Sequence, residues 1–483
     1  MCGIIGYSGP KEPLPILISG LSRLEYRGYD SAGVALIDGD NLSIEKKEGK
    51  LSVLKEHLEG TSIKGNIGIG HTRWATHGVP SDVNAHPHSD NANEFAIIHN
   101  GIIENYAELK DDLIQDDYSF ISETDTEVVA VELSRKWNGE LLDTVLDVAK
   151  SLDGTYALVV TSTKQPGTIV AGRMMSPLVL GVGEGEVFLA SDSAAILEYT
   201  NKMIFLENGD FVEINDGNFT LYDIEKNVIT RDIQVIDWEV SEAEKAGHDH
   251  FMYKEILEQA EVIERTIAGR IEKNSTEIPI HLDKAKKFEK IWIVACGTAY
   301  HAGLFGKDLF EKVLGVPVSV ELASEFRYRE PIIGKNDLAI VISQSGETMD
   351  TIAATELLKE NGSHVLALVN VVGSSLARMA DSVFYLHVGP EIGVASTKAY
   401  LGMLVGQLLL AKHWDSNNKL DTSLEEIKAL PSLIEEALKC EDQVKEISKL
   451  IYKKKDIYFI GRGLDYALAA EGALKLKEIS YLH

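Results

Sequence analysis

The stretch that decides the fold class of the second half of the chain reads Leu338-Ala339-Ile340-Val341-Ile342-Ser343-Gln344-Ser345-Gly346-Glu347-Thr348. Its apolar run predicts a buried strand over Leu338–Ile342, and the turn that follows leads into a helical run. Three more segments have the same character, namely Lys290–Ala295, His364–Val369 and Val383–His387. Strands that alternate with helices predict an α/β fold with a parallel sheet, in which ligands bind at the carboxyl ends of the strands.

The first half of the chain, from Cys2 to about Asp237, has a different pattern. Short apolar or alternating segments are separated by Gly and Asn-Gly, and they predict strands over Gly33–Asp38, Asn66–Trp74, Glu94–Asn100, Tyr156–Thr161, Val187–Ser191 and Asp210–Ile214. Helices are expected around Leu17–Leu24 and over Thr124–Trp137. This pattern indicates sheets packed with helices, and not a doubly wound parallel sheet.

The last part of the chain is predicted to start a further α/β unit. Glu425–Leu450 is helical and charged, Asp456–Ile460 reads as a strand, and Tyr466–Leu482 reads as a helix. We expect five regions, with bounds 1–240, 241–285 (a linker with a helix), 286–420, 421–452 (a helical connector) and 453–483. Because an α/β domain usually takes roughly 100–150 residues, the last region is expected to be incomplete.

Composition excludes several classes of function. The chain has 483 residues, enough for two or three domains, and its 47 basic and 75 acidic residues give a formal charge of −28. That surplus opposes binding to nucleic acid or anionic membranes. No signal peptide and no apolar run of about eighteen residues is visible. The three cysteines are sparse and unpatterned, which favours a reducing cytoplasmic location.

Cys2 is a candidate nucleophile. Alone, it reads more simply as a small residue near the end of the chain. Removal of Met1 would, however, leave a thiol and a free α-amino group on one residue. The amine, with a reference pKa of about 7.7–8.0, is suited to accept the thiol proton.

Several further segments carry a specific resemblance. They are Arg27-Gly28-Tyr29-Asp30-Ser31-Ala32-Gly33, His71-Thr72-Arg73-Trp74-Ala75-Thr76-His77-Gly78, His99-Asn100-Gly101 and Ser122-Glu123-Thr124-Asp125-Thr126. Together with Cys2 they closely resemble the class II (Ntn-type) glutamine amidotransferases. The resemblance implies an Ntn-hydrolase-type αββα sandwich over residues 1–240, with glutaminase activity.

The resemblance also implies roles for single residues. Cys2 would attack the side-chain amide of glutamine, and Asn100 with the backbone N–H of Gly101 would hold the oxyanion, a contribution of roughly 3–4 kcal/mol per donor. The expected glutamine-binding residues are Arg73, which would grip the α-carboxylate, Asp125, which would receive the α-ammonium, and Thr76 and His77, which would shape the pocket. Trp74 would gate an ammonia passage.

Each of these residues also has a simpler interpretation. Arg73 could be a surface ion-pair residue, Asp125 a helix N-cap, and Trp74 a core residue. The histidines around His86-Pro87-His88 could suggest a metal, but no Cys or carboxylate completes a ligand set at suitable spacing, so no metal is expected.

The turn Ser343–Thr348 combines hydroxyls, a glycine and the start of a helix, which suits a phosphate. A generic hydroxyl-rich turn would look the same. The turn nevertheless closely resembles the phosphate loop of SIS (sugar isomerase) domains, as do Cys296-Gly297-Thr298-Ala299 and Glu391–Lys398. The resemblance implies a three-layer α/β sandwich. The expected ligands of the phosphate are Ser343, Gln344, Ser345 and Thr348, and those of the sugar are Thr298, Val394 and Ser396.

The last helix carries Glu471, Lys475 and Glu478 on one face, since they are spaced i, i+4 and i+7. From spacing alone a solvated ion-pair stripe is the better interpretation. The segment also resembles the isomerase helix of the same family. That resemblance implies that Glu478 moves a proton between C1 and C2 of the sugar and that Lys475 assists around ring opening.

Taken together, the resemblance implies transfer of glutamine nitrogen to fructose 6-phosphate, giving glucosamine 6-phosphate and glutamate at the start of the UDP-N-acetylglucosamine pathway. It implies no cofactor, a cytoplasmic location and a homodimer formed through the SIS domains. The family continues beyond His483 with a ring-opening histidine and a Schiff-base lysine. We therefore expect a C-terminally incomplete chain that retains glutaminase activity and has impaired synthesis.

Two other functions are less well supported by the sequence. Other class II amidotransferases would need an ATP-binding Ser-Gly-Gly signature or a phosphoribosyl-binding Asp-Asp loop in the second half, and neither is found there. A regulator that binds sugar phosphate through its SIS domain, without nitrogen transfer, is the alternative from a different class.

Overall fold

The computed structural model describes residues 2–25, 28–61, 63–75, 77–236, 246–271, 275–280, 282 and 287–482. The chain divides into two compact units, Met1–Ala243 and Glu244–His483, which are described separately. The predicted site residue Thr76 and part of the predicted linker, including residues 241–245, lie outside the described residues. Among the described helices, none combines the length and the apolar character needed to cross a bilayer.

The first unit contains two antiparallel sheets. Its strands are β1 (Gly3–Ser8), β2 (Ser31–Asp38), β3 (Asn41–Glu48), β4 (Ile67–Arg73), β5 (His88–Ser89), β6 (Phe95–Ile103), β7 (Gly154–Ser162), β8 (Thr168–Met174), β9 (Val179–Val182), β10 (Val187–Ala190), β11 (Lys202–Phe205), β12 (Phe211–Asn215), β13 (Asn218–Tyr222), β14 (Val228–Ile229) and β15 (Gln234–Val235). Its helices are α1 (Pro13–Leu24), α2 (Leu51–Leu58), α3 (Tyr106–Gln115), α4 (Asp125–Arg135) and α5 (Leu141–Ala149). The sheet orders are β15-β11-β9-β10-β1-β4-β2-β3 and β14-β13-β12-β8-β7-β6-β5.

Alternation along the strands explains the layers of this unit. Ile4 packs with Ile98 in an apolar cluster between the two sheets. Ile5, the next residue, points to the opposite face and packs with Leu17 of α1. On the outer face of the second sheet, Ile97 packs against residues of α4 and α5. The unit is therefore an αββα sandwich, as the resemblance implies, and the predicted strands and helices of the first half are confirmed.

The second unit is built on one parallel sheet with the order β17-β16-β18-β19-β20. Its strands are β16 (Ile291–Ala295), β17 (Val318–Leu322), β18 (Leu338–Ser343), β19 (His364–Val369) and β20 (Ser382–Tyr385). Its helices are α6 (Phe251–Leu257), α7 (Gln259–Ile267), α8 (Gly297–Leu314), α9 (Ala323–Phe326), α10 (Met349–Glu360), α11 (Ser375–Met379), α12 (Lys398–Trp414), α13 (Leu424–Leu438), α14 (Glu441–Ile451) and α15 (Leu464–Ser480).

Helices cover both faces of this sheet. Ile291 and Ile293 of β16 share an apolar cluster with residues of α7, α8 and α12. Helix α10 lies against β18 and β19. Val341 of β18 and Val365 of β19 are fully buried but do not belong to the cluster with α7, α8 and α12. The predicted three-layer α/β sandwich with a parallel sheet is confirmed.

One predicted element is wrong. Asp456–Ile460 does not form a strand, and Tyr458 and Ile460 are 87% and 91% exposed. A strand is stable only when a neighbour supplies its backbone hydrogen bonds and a core covers one face. The five-stranded sheet of the described residues does not include this segment, so no neighbouring strand supplies its backbone hydrogen bonds. The helices predicted on either side do form, as α13, α14 and α15.

Candidate functional site

Pairing of β1 with β4 places Cys2 beside the residue that ends β4. The register joins Gly3 to Thr72, so Cys2 lies next to the peptide that connects Arg73 and Trp74. The Trp74 N–H donates to Cys2 Sγ at 3.2 Å, and the Trp74 carbonyl lies 3.5 Å from the same sulfur. The thiol is therefore held by backbone groups at the end of a buried strand.

The surroundings of the thiol decide how reactive it is. Burial raises the pKa of Cys2, as does the nearby charge of Asp30, while the Trp74 N–H and the charges of the chain terminus and Arg73 lower it without cancelling the rise. A thiol with a raised pKa needs a base to become a thiolate near neutral pH. The α-amine that Cys2 would gain on removal of Met1 belongs to the same residue.

Asn100, in β6, lies against Cys2 and is oriented by a histidine. Its Nδ2 donates to the Cys2 carbonyl at 3.0 Å, and its Oδ1 lies 3.0 Å from His71 Nε2. His71 Nε2 also lies 3.1 Å from the His99 carbonyl. Because both neighbours are acceptors, this nitrogen must carry the proton. Burial lowers the pKa of His71 to about 3, so the ring is neutral. The histidine therefore fixes the amide with its N–H groups towards Cys2.

Gly101, the predicted second oxyanion donor, follows Asn100 in a conformation that favours glycine. Its φ is +136°, and a Cβ at this position would lie 1.9 Å from the Thr155 carbonyl oxygen. A larger residue would clash with the neighbouring strand and move the backbone beside Asn100. Strand geometry therefore sets the positions of the two predicted oxyanion donors.

Arg73 is buried, with 3% of its surface exposed. Its Nη2 donates to the carbonyls of His77 and Gly78, the latter at 3.2 Å. Its Nη1 has no hydrogen-bond partner among the described residues. The interpretation of Arg73 as a surface ion-pair residue is wrong, and a buried guanidinium with an unused donor suits a carboxylate ligand.

Asp125 is 4% exposed and lies beside the same strand as Asn100. Its Oδ2 accepts a hydrogen bond from the Ile103 N–H at 2.9 Å. The N-cap of α4 is Thr124, whose hydroxyl accepts the Glu127 N–H at 3.3 Å. The interpretation of Asp125 as a plain N-cap is therefore wrong. Its Oδ1 accepts the Thr126 hydroxyl at 3.4 Å, and a buried carboxylate in this position suits a cation.

Two aromatic contacts surround the site. The Trp74 ring is 42% exposed and stands edge-on to Tyr29 at 5.2 Å, so Trp74 is not a core residue. The His77 ring is edge-on to Tyr106 at 5.3 Å. The exposed indole belongs to the residue whose backbone contacts the thiol, and its role as a gate stays a prediction.

In the second unit, the turn after β18 is folded by its own hydroxyls. Ser343 Oγ lies 2.9 Å from Thr348 Oγ1 and accepts the Gly346 N–H at 3.1 Å. The Ser345 hydroxyl accepts the Glu347 N–H, and the Gln344 carbonyl accepts the Asn370 N–H. Helix α10 begins directly after Thr348, so its N-terminus faces the turn. This arrangement suits an anion.

A polar network joins α15 to the start of α8. Lys475 Nζ donates to Thr298 Oγ1 at 2.8 Å and contacts Glu478 at 2.6 Å. The Thr298 hydroxyl donates to Glu471 at 2.8 Å, and His301 Nδ1 lies 2.8 Å from the other Glu471 oxygen. Although burial raises the pKa of Glu471, His301 and Lys475 lower it below its usual range. Glu471 is 4% exposed, so the solvated-stripe interpretation is wrong for this residue, whereas Glu478 at the end of the helix is exposed.

The predicted sugar-phosphate residues come from three strand ends. Thr298 follows β16, Ser343 ends β18, and Val394 and Ser396 follow β20. Because these strands are parallel, all of these residues lie at one edge of the sheet. Within the described part of the chain no hydrogen bond links the three groups directly. A cavity of about 400 Å³ lies elsewhere, along β20 beside Arg270, and none of the predicted residues line it.

Some residues of these sites were not predicted. The sequence assigns His71 no role of its own, yet its ring orients Asn100. It assigns none to His301 either, yet that ring contacts Glu471. Neither position stands out in sequence, because each role depends on a partner brought close only by the fold.

Comparisons with known proteins agree with this architecture. Residues 43–227 match the glutamine amidotransferase domain family, and residues 284–412 and 450–483 match the SIS domain family. The glutamine–fructose-6-phosphate aminotransferase (isomerizing) of Caldanaerobacter subterraneus subsp. tengcongensis is 49% identical over 493 residues, covering 100% of this chain and 81% of the relative. The Aquifex aeolicus protein of the same name is 46% identical, with the same coverage.

A solved structure is also similar to part of the chain. It is the C-terminal domain of glucosamine-fructose-6-phosphate aminotransferase from Francisella tularensis, with 40% identity and a TM-score of 0.47. The match covers 50% of this chain and 70% of the other.

Proposed function

This chain belongs to the glutamine–fructose-6-phosphate aminotransferase (isomerizing) family, and from that premise we propose that it releases ammonia from glutamine at Cys2 and transfers the nitrogen to fructose 6-phosphate. The products would be glutamate and glucosamine 6-phosphate. The observation that carries the proposal is the position of Cys2, whose thiol accepts the Trp74 N–H and whose carbonyl accepts the oriented amide of Asn100.

In the first half of the reaction, the α-amine of Cys2 takes the thiol proton and the sulfur attacks the amide carbon of glutamine. Asn100 and Gly101 donate to the oxygen that becomes negative. Collapse of the tetrahedral intermediate breaks the C–N bond, and the departing nitrogen takes the proton and leaves as ammonia. Water then hydrolyses the glutamyl thioester to glutamate and restores the thiol. Arg73 and Asp125 would hold the α-carboxylate and α-ammonium.

In the second half, ammonia adds to the C2 carbonyl of the open sugar and water is lost, giving an imine. Removal of a proton from C1 and delivery of a proton to C2 give the amino aldose. Glu478 is the proposed proton carrier, and Lys475, 2.6 Å away, is placed to stabilise its carboxylate. The turn Ser343–Thr348 would hold the phosphate.

The proposal extends to assembly and location. We propose a homodimer formed through the second unit, in the cytoplasm, in keeping with the family and with the sparse unpaired cysteines. Mass measurement in solution by light scattering tests the dimer.

Glutamine labelled with ¹⁵N at the amide tests both halves. Purified protein is incubated with labelled glutamine and fructose 6-phosphate, with Cys2→Ala beside it, and glutamate and ¹⁵N-glucosamine 6-phosphate are quantified by mass spectrometry. We expect Cys2-dependent glutamate, with labelled glucosamine 6-phosphate in the reduced yield that the sequence predicts, and neither product from Cys2→Ala. Glutamate without labelled sugar would overturn the transfer half. Binding of fructose 6-phosphate without either product would favour the sugar-phosphate regulator.

A further inference from the structure

The loop between β20 and α12 carries the predicted sugar residues Val394 and Ser396, and side chains from outside it determine its shape. Asn370, after β19, holds its start. The Asn370 Nδ2 donates to the Gly389 carbonyl at 2.8 Å, and its Oδ1 accepts the Val388 N–H at 2.9 Å. The loop is therefore fixed at its beginning by the core of the sheet.

A buried carboxylate from α6 holds the middle of the loop. Glu255 is 2% exposed. Its Oε1 accepts the N–H groups of Ile392 and Gly393 at 2.6 and 2.9 Å, and its Oε2 lies 3.1 Å from the Gly393 N–H. A Cβ on Gly393 would lie 2.4 Å from Oε2, so this close contact requires glycine. The carboxylate acts as a backbone clamp directly before Val394.

A second carboxylate holds the end of the same loop. Glu391 Oε1 accepts the N–H groups of Thr397 and Ala399 at 2.8 and 3.1 Å. Its Oε2 accepts the Ser396 hydroxyl at 2.7 Å. Because the Ser396 proton is directed to Glu391, the lone pairs of that hydroxyl are available to accept from a ligand hydroxyl.

The carboxylates of Glu255 and Glu391 repel each other, and two nearby lysines reduce the local negative charge. Burial and the charge of Glu391 raise the pKa of Glu255 to about 7, although the two N–H groups and Lys398 oppose the rise. Lys398 is buried and pairs with Glu258 at 2.8 Å, and Lys254 pairs with the same Glu258 at 3.2 Å. A buried carboxylate kept in so unfavourable a place points to a role beyond simple packing.

We propose that Glu255 is a positioning residue for the sugar-phosphate site, in which its clamp on Ile392 and Gly393 sets the loop so that Val394 and Ser396 face the ligand. This role rests on the function proposed above. Glu255 itself does not touch the sugar. Its effect on affinity passes through the loop backbone and through Ser396.

Binding of fructose 6-phosphate to the full chain, measured by calorimetry, tests the role. Glu255→Gln keeps one acceptor oxygen and loses the charge and the second acceptor. We expect its dissociation constant to rise about tenfold, as for loss of one charge-assisted hydrogen bond. Glu261→Gln, on α7 with 66% of its side chain exposed, is the matched control and should bind like the wild type. Cys2-dependent glutamate release should be unchanged in both variants.

Two readouts separate positioning from general destabilisation. Amide hydrogen exchange should rise in peptides that cover residues 390–397 and stay unchanged in the five-stranded sheet. Ser396→Ala should weaken binding in the wild-type background and add little in the Glu255→Gln background, because the clamp that orients Ser396 is already lost. If Glu255→Gln does not fold, Glu255→Asp, which withdraws the oxygens by about 1.5 Å, must show the same loss.

The outcomes are distinct. Binding by Glu255→Gln within twofold of the wild type, or additive effects of the two substitutions, would overturn the positioning role alone. Absence of binding by the wild type would overturn the proposed sugar substrate and this role with it.

Discussion

Replacing His71 with leucine tests how the oxyanion site is built. His71 is fully buried, and its Nε2 donates to Asn100 Oδ1 at 3.0 Å. The substitution removes this donor but leaves Asn100 and Cys2 in place. The Asn100 amide then keeps only its donation to the Cys2 carbonyl to fix its orientation, and a turned amide presents its oxygen, in place of its N–H groups, towards Cys2.

The size of the effect follows from that hydrogen bond. Leaving a buried acceptor unpaired costs about 1–3 kcal/mol, which corresponds to roughly a 5- to 150-fold change in the preference between the two amide orientations. Complete loss of an oxyanion donor costs about 10²- to 10³-fold in kcat. We therefore expect His71→Leu to lower kcat for glutamate formation roughly 10- to 100-fold, with a smaller change in KM, because the oxyanion forms only during the reaction.

The assay compares kcat and KM for glutamate formation in His71→Leu, Asn100→Ala and His57→Leu. Asn100→Ala gives the effect of losing the amide donor completely. His57→Leu makes the same substitution away from the site, at a histidine of α2 that contacts Glu45. Thermal unfolding shows whether each variant is folded. A folded His71→Leu whose kcat stays within twofold of the wild type would refute the proposed orientation of Asn100.

Three further predictions concern backbone contacts, capping and pH. Gly28→Ala should lower kcat for glutamate formation at least tenfold without unfolding the protein, since its Cβ would lie 2.9 Å from the Trp74 nitrogen that binds the thiol; wild-type kinetics would contradict this. Thr124→Ala should lower the free energy of unfolding by about 1–2 kcal/mol in urea titrations, because it removes the N-cap of α4; an unchanged midpoint would show that the cap contributes nothing. The pKa of Glu255 is raised from 4.5 in the unfolded chain to about 7 in the folded protein, so the folded state binds a proton at Glu255 more tightly. Protonation of Glu255 therefore stabilises the fold by up to about 3 kcal/mol at low pH, and this contribution is lost as pH rises through 7. Between pH 5 and pH 8 the wild type should therefore lose stability relative to Glu255→Gln, and parallel pH profiles of the two proteins would contradict this assignment.

Local sequence patterns predicted most elements because packing agrees with them. Helix α1 follows from leucines on one face, and β18 from its apolar run. The segment Asp456–Ile460 has the same apolar character as a strand, but pairing depends on a neighbouring strand that local sequence does not supply. A pattern therefore predicts the tendency of a segment, and tertiary context decides whether the element forms.

Some site residues could likewise be predicted from local sequence, and others depend on partners that are distant in the chain. Cys2, Arg73 and Asn100 lie in motifs that could be recognised in the sequence, and the fold brings Cys2 into contact with Trp74, 72 residues away. Glu255 and Gly393 are 138 positions apart, and nothing in either segment indicates the other. The orientation of the Asn100 amide likewise depends on the protonation of His71, which follows from burial.

Covalent labelling most directly tests the central claim that Cys2 is the nucleophile. The protein is treated with a glutamine analogue that carries a diazoketone in place of the amide, and the adduct is located by peptide mass mapping. The account predicts one adduct, on Cys2 in a peptide that starts with a free α-amine, with loss of glutamate formation in proportion to labelling. An adduct on Cys296 or Cys440, or full activity after labelling of Cys2, would contradict it.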